Sequence, residues 1–153
     1  MRKEIIWENG NTIALSEIEN VETILKVKFP NFFVDFILNN NYSQPSLSLF
    51  DTTSSKGCVL GRLLSFSKKD KRNVLDTVSA LSEKIPKNVI PIGVDPGGNY
   101  ICFDFRDLEI PGIVYWNHEL DFEFNENLII PKNQNQIEFI SSNFEDFLDK
   151  LYE

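Results

Sequence analysis

Apolar side chains recur every three or four residues in four stretches of the chain and alternate with polar ones in others, a pattern that predicts a mixed α+β fold. Ser16-Glu17-Ile18-Glu19 has the form of a capping box, and Val21, Ile24 and Leu25 extend the face begun by Ile18, predicting a helix over about 16–27. Phe29-Pro30 places a proline at a helix start, where its missing N–H costs nothing. Phe33, Phe36 and Ile37 follow at helical spacing until Asn39-Asn40-Asn41, which predicts a helix over about 30–39 with its phenylalanines on a core face. Val74, Leu75, Val78, Leu81 and Ile85 predict an amphipathic helix over about 69–84, ending before Pro86, with part of a basic run on its polar face. Ser142-Asn143-Phe144-Glu145 reads as another capping box, opening a closing helix that carries Phe144, Phe147, Leu148 and Leu151 on one side.

The strand signals lie between these helices. Leu47 and Leu49 alternate with Ser46 and Ser48, and Cys58 to Phe66 is a β-prone run interrupted by Gly61; both are expected in one sheet. Val89 to Val94, Tyr100 to Asp104 and Gly112 to Trp116 predict a three-strand meander. Its first connection is Asp95-Pro96-Gly97-Gly98-Asn99, where proline fixes φ and glycine accepts positive φ. Glycine-rich backbone can also cradle a phosphate, and Asp with Asn can ligate calcium, but a phosphate loop opens a helix and this one opens a strand. A plain hairpin turn accounts for it.

At 153 residues, 42% hydrophobic and 25% charged, the chain predicts one domain with one core. No apolar run approaches a membrane span and Met1-Arg2-Lys3-Glu4 leads into no signal segment, which predicts a cytoplasmic protein. The net charge of −8 disfavours direct binding to nucleic acid or anionic lipid. That charge is uneven. Lys56, Arg62, Lys68, Lys69, Lys71 and Arg72 stand against Asp70 alone, a net of +5. Between 95 and 126, eight carboxylates stand against Arg106, a net of −7 in a segment rich in aromatics. Each run can be a solvated face, and the acidic one can equally be a protein-binding surface. Cys58 and Cys102 each sit in an apolar context and read as two buried free thiols, since neither a disulfide framework nor a second pair of zinc ligands is present.

The sequence predicts no enzymatic chemistry and no cofactor or metal. His118, the single histidine, lies beside carboxylates without a companion. Nucleophile elbow, zinc-protease helix, phosphate-binding Gly-Lys-Ser and Cys-His pairing are all missing from the sequence, though a triad assembled only in space would leave no such trace. Trp7 and Trp116 read first as packing residues, and as interface anchors only if partly exposed.

Four pieces taken in order resemble the SUKH superfamily, the Smi/Knr-type domain. They are Phe29-Pro30-x-x-Phe33-x-x-Phe36-Ile37, Ile92-Gly93-Val94-Asp95-Pro96-Gly97-Gly98-Asn99, Val114-Tyr115-Trp116-Asn117-His118-Glu119 and Ser142-x-Phe144-Glu145-Asp146-Phe147-Leu148. The likeness spans about 16–152 and is nearest to bacterial YobK-type members; Asn39-Asn40-Asn41 and Pro96 depart from the usual Asn-Gly and glycine. The resemblance implies a single α+β domain, a twisted, mostly antiparallel sheet with helices packed against it. It also implies an immunity protein that binds and neutralises a cognate polymorphic-type toxin, in many systems a nuclease. A nuclease presents a basic surface to its substrate, so Asp104, Asp107, Glu109, Glu119, Asp121 and Glu123 are the expected steering face, with Tyr115 and Trp116 as anchors if exposed. Two alternatives stay open: a regulatory scaffold like the fungal relatives, and a small-ligand or nucleotide-binding domain using a cleft beside Gly97-Gly98. Monomer and weak homodimer are both open.

Overall fold

A computed structural model of the chain describes residues 4–106, 110–118, 122–125, 128–131 and 137–153. The elements run β1 (Trp7–Glu8), α1 (Leu15–Leu25), α2 (Asn31–Asn40), β2 (Gln44–Pro45), β3 (Leu49–Phe50), β4 (Cys58–Val59), β5 (Arg62–Leu63) and α3 (Val74–Ala80). The second half continues with β6 (Val89–Val94), β7 (Tyr100–Asp104), β8 (Gly112–Trp116), β9 (Phe122–Asn125), β10 (Leu128–Pro131), β11 (Ile137–Ser141) and α4 (Phe144–Lys150). The fold is α+β, as the pattern predicted. Five antiparallel strands form the main sheet in the order β11-β8-β7-β6-β5, and β1-β2, β3-β4 and β9-β10 form two-stranded sheets.

The meander is the rigid centre. Period-two alternation sends Ile90, Ile92, Val94, Ile101, Phe103, Ile113, Tyr115 and Ile140 to one face, where α1, α2 and α4 cover them with Ile18, Val21, Phe33, Ile37, Phe144 and Phe147. The Phe33 ring packs edge-on against Phe103 at 4.9 Å and Phe144 at 4.8 Å, so the helical phenylalanine spacing is a core face. Val89, Cys102, Val114 and Trp116 point to the opposite face and pack with Ile85 and, partly buried, Leu81, Tyr100 and Ile137. Both faces of β8 are thus covered and all five of its residues are buried.

Three helix starts differ from the sequence pattern. The first residue of α1 is Leu15 after Ala14, with no side-chain cap; tertiary bonds from Asn11 N–H to Asn41 O (2.8 Å) and Ile13 N–H to Leu38 O (3.1 Å) hold the preceding strand and set the start. The basic run is not on α3. Ser65 N–H donates to Arg72 O (2.9 Å) and Val74 N–H to Ser65 O (2.8 Å), folding residues 66–72 into a loop. Asn73 then caps the helix by accepting from Asp76 N–H at 2.8 Å. At α4 the cap is Asn143, which accepts from Asp146 N–H at 2.8 Å, one residue after the serine of the apparent box.

The two early strand runs share a sheet only in part, because the second run divides between two sheets. Leu49–Phe50 pairs with Cys58–Val59, and the chain then transfers to the main sheet, Leu60 N–H donating to Ser48 O and Gly61 N–H to Val94 O. Gly61 permits the transfer, since a Cβ there would stand 3.1 Å from the Val94 carbonyl oxygen. Both cysteines are free; Cys102 is buried, whereas Cys58 is only half-buried on β4, at the end of the small hairpin.

Candidate partner-binding surface

The conspicuous polar residues of the meander converge at one end of the sheet. Asp95 and Asn99 close the β6–β7 turn, with Gly98 between them at φ 90°. The Asp95 carboxylate fills the turn from inside: Oδ1 accepts from the N–H groups of Gly97 and Asn99 (2.8 Å each), and Oδ2 accepts from Asn99 Nδ2 (3.0 Å) and the Tyr115 hydroxyl (2.6 Å). A carboxylate can only accept, which fixes the Asn99 amide with its Oδ1 outward. That oxygen accepts from His118 N–H at 2.8 Å and lies 2.5 Å from His118 Nδ1, so a neutral His118 ring carries its proton on Nδ1. Burial first, and then the Asp95 carboxylate, push the Tyr115 phenol far above its ordinary value, keeping it a donor.

This arrangement is a lock between the turn and the end of β8. A phosphate would need turn N–H groups that Asp95 already occupies with negative charge, so the glycines do not form an anion cradle. The turn does border a cleft of about 210 Å³, lined by residues including Arg72, Thr77, Pro96 and Tyr100, on its outer side. Among the described residues no three His, Cys, Asp or Glu side chains group as metal ligands.

The expected steering face divides. Asp104 pairs with Gly112 at one end of the β7–β8 ladder while Tyr100 pairs with Trp116 at the other, about 13 Å away at the usual strand rise. Asp104 accepts two bonds from the Arg106 side chain, at 2.9 and 3.0 Å, and one from its N–H at 3.0 Å. Partial burial opposes its ionisation, but these Arg106 contacts outweigh it and hold the carboxyl below its usual value, with its charge neutralised. Asp107, Glu109, Glu119 and Asp121 lie outside the described residues. Glu123 is in β9, paired with Ile130 of β10. Tyr115 and Trp116 are 4% and 2% exposed, so the condition for their serving as anchors is not met. Tyr115 packs edge-on against Phe50, and Trp116 lies on the other face against Tyr100.

A surface the sequence did not reveal lies across the open edge of the sheet. Asp51, Thr52 and Thr53 of the β3–β4 loop, Phe139 and Ile140 of β11, and Asp149, Lys150 and Tyr152 enclose a cleft of about 390 Å³. Phe139 is 48% exposed there, a large apolar side chain on an end strand of the main sheet. Tyr152 donates to Asp51 at 2.7 Å and Gly57 N–H at 2.9 Å; these two bonds lower the Asp51 pKa, so the carboxylate stays charged beside the cleft. Lys150 turns its ammonium to the Ile140 carbonyl at 2.7 Å. Residues 51 and 152 meet only in the folded chain, and alternation in Ile137-Glu138-Phe139-Ile140 would turn Glu138 outward, whereas the structure buries Glu138 and exposes Phe139.

A family model described as SUKH_6, SMI1-KNR4 cell-wall, matches residues 15–148. The chain belongs to this family. Its match spans α1, α2, α3, the whole meander and the first part of α4, and so includes the Asp95–Tyr115–His118 lock. The SUKH family includes toxin-immunity proteins and is typically a non-enzymatic immunity or interaction domain. A 70-residue stretch is also 29% identical to the SPbeta prophage-derived uncharacterized protein YokK of Bacillus subtilis (strain 168), covering 46% of this chain and 35% of that protein. The match to this SUKH chain therefore takes in about a third of that relative's length. No helix among the described residues is long and apolar enough to cross a membrane.

Proposed function

We propose that this SUKH chain is a cytoplasmic immunity protein that binds the effector domain of a cognate toxin one to one and blocks it by occlusion, without chemistry of its own. The observation that carries this reading is the family match across residues 15–148. The polar groups that could have suggested catalysis support it, because Asp95, Asn99, Tyr115 and His118 are committed to holding one another.

The toxin is a nuclease, whose basic substrate surface complements a partner of net charge −8. Asp107, Glu109, Glu119, Asp121 and Glu123 supply the steering field, with Asp104 contributing little because Arg106 neutralises it. Phe139, rather than Tyr115 or Trp116, is the exposed aromatic that anchors.

The test is a tagged pull-down from the source cell with the neighbouring toxin present in inactivated form, at low and high salt, followed by kinetics on the captured pair. One dominant partner held one-to-one, with faster association at low salt, is expected. Charge reversal at Glu119, Asp121 and Glu123 together should slow association, and Phe139→Ala should speed dissociation by about thirtyfold, the roughly 2 kcal/mol of an interface hot spot. Several weak partners, or none, would point instead to a regulatory scaffold.

A further inference from the structure

A third concavity lies away from both surfaces described above, between the end of α1, α3 and the start of β6. It measures about 470 Å³, inside the range of roughly 300–1,000 Å³ typical of small-molecule sites. Its walls are mainly aliphatic, among them Ile24, Val78, Leu81 and Ile85. Ile24 is 55% exposed at the lip, a large apolar side chain left half open among the described residues.

The charge of this groove runs against that of the molecule. Carboxylates outnumber Lys and Arg by 23 to 15 in the chain, yet among the described residues the charged ones lining the groove are Lys26 and Lys87, with no Asp or Glu. Both lysines are exposed, and the acid closest in sequence to Lys26 is engaged elsewhere: Glu22 accepts from Phe29 N–H at 2.7 Å and faces Lys28 at 4.0 Å. The lips are also preformed. Lys26 ends α1 in the left-handed region at φ 59°, its N–H donating to Glu22 O. Asn88, beside Lys87, sits at φ 71°, its carbonyl accepting from Phe105 N–H at 2.8 Å.

We infer that this groove binds a small amphiphilic carboxylate of the medium-chain fatty-acid type, its hydrocarbon tail against Ile24, Val78, Leu81 and Ile85 and its carboxylate between Lys26 and Lys87. The tail gains by leaving water, and the head meets cations without a competing acid. This site is independent of the toxin reading, and its test needs no toxin.

Octanoate, 1-octanol and octylammonium share one tail and differ in the charge of the head. Each is titrated into the isotopically labelled full chain, and the backbone N–H signals of residues 24–26 and 78–90 are followed by NMR. Octanoate should saturate shifts at these positions with a Kd about tenfold below that of octanol, as two partly exposed ion pairs allow, and octylammonium should bind more weakly than either. The double variant Lys26→Gln/Lys87→Gln, altered only at exposed positions, should bring octanoate to the affinity of octanol and leave octanol unchanged. No saturable shift with octanoate, equal affinity for acid and alcohol, or an advantage for octanoate that survives in the double variant would each overturn the assignment.

Discussion

Replacing Tyr115 with phenylalanine tests whether the polar cluster at the β6–β7 turn is a structural lock. The hydroxyl donates to Asp95 Oδ2 at 2.6 Å, in a pair 4% and 8% exposed. The ring also packs edge-on against Phe50 at 5.4 Å, a contact that phenylalanine keeps. The loss is therefore one buried hydrogen bond to a carboxylate, about 2 kcal/mol. For a domain of this length that lowers Tm by about 4–8 °C, with an unchanged urea m-value. The sign of the pH dependence follows from the raised phenol pKa. The folded state holds this proton more tightly than the unfolded state, so the contribution is whole below the ordinary value of 10.0 and is lost as pH rises above it. The stability gap between the native chain and Tyr115→Phe should be flat from about pH 6 to 9 and narrow above about 10. Urea denaturation across that range measures it, with Asp95→Ala completing a double-mutant cycle. A loss below about 0.5 kcal/mol, or the same loss in the Asp95→Ala background, would refute the lock.

Three further outcomes are expected. Asn73→Ala removes the cap of α3 and the bonds from Asn73 Nδ2 to Asp70 O at 3.0 Å and Asp76 Oδ2 at 2.9 Å, and should cost about 1–2 kcal/mol in urea denaturation, with Asn73→Asp recovering little of it because a carboxylate oxygen would face those two acceptors. Glu138 is 5% exposed; its Oε1 accepts from the Thr52 and Ser55 hydroxyls, while its Oε2 has no hydrogen-bond partner. Glu138→Gln keeps the useful acceptor and removes a buried charge, so stability at pH 7 should hold or rise by up to about 1 kcal/mol; a fall of that size would contradict the assigned contacts. Burial and the Glu138, Asp51 and Asp95 carboxylates push the Cys58 thiol up to about 11, and burial pushes the fully buried Cys102 higher still. Iodoacetamide at pH 8 should therefore label Cys58 slowly and Cys102 only on unfolding, with intact mass reporting the order; labelling of Cys102 first would contradict the packing.

The meander, the second helix and the closing helix were legible because their signals are local: alternation, a proline at a helix start, a glycine-rich turn. What escaped was set by distant partners. Ser16 and Ser142 are good caps in isolation, yet α1 starts where Asn11 and Ile13 bond to Asn41 and Leu38, and Asn143 displaces Ser142 at α4. The basic run satisfied a helical period but folds into a loop, because Asp70 turns inward to accept from Ser65 at 2.7 Å and Asn11 at 3.2 Å. The same long-range effect governs the candidate surfaces. Tyr115 and Trp116 were expected as anchors only if exposed, and the residues that bury them on both sheet faces come from segments that no spacing rule links to β8. Phe139 and the Asp51 loop meet across more than eighty positions.

Formal charge counts also misstate what a partner can use. The Asp95 carboxylate accepts three bonds from its own turn and one from Tyr115, Asp104 is paired with Arg106, and Glu22 and Asp70 accept from backbone or side-chain donors nearby. Such groups resist being re-paired, because a new contact would first have to break the old one. They still contribute to the field of a chain with net charge −8, which reaches about one Debye length, roughly 8 Å at physiological salt. In the proposed complex, steering and anchoring therefore rest on different residues: carboxylates would draw a basic partner in, and an exposed apolar group such as Phe139 would hold it by excluding water. The kinetics of the complex should separate accordingly. Raising salt should lower the association rate steeply while leaving the dissociation rate nearly constant, and Phe139→Ala should do the reverse. If salt instead raises the dissociation rate as strongly as it lowers association, the bound state is held by ion pairs, and the division between a steering face and an apolar anchor fails.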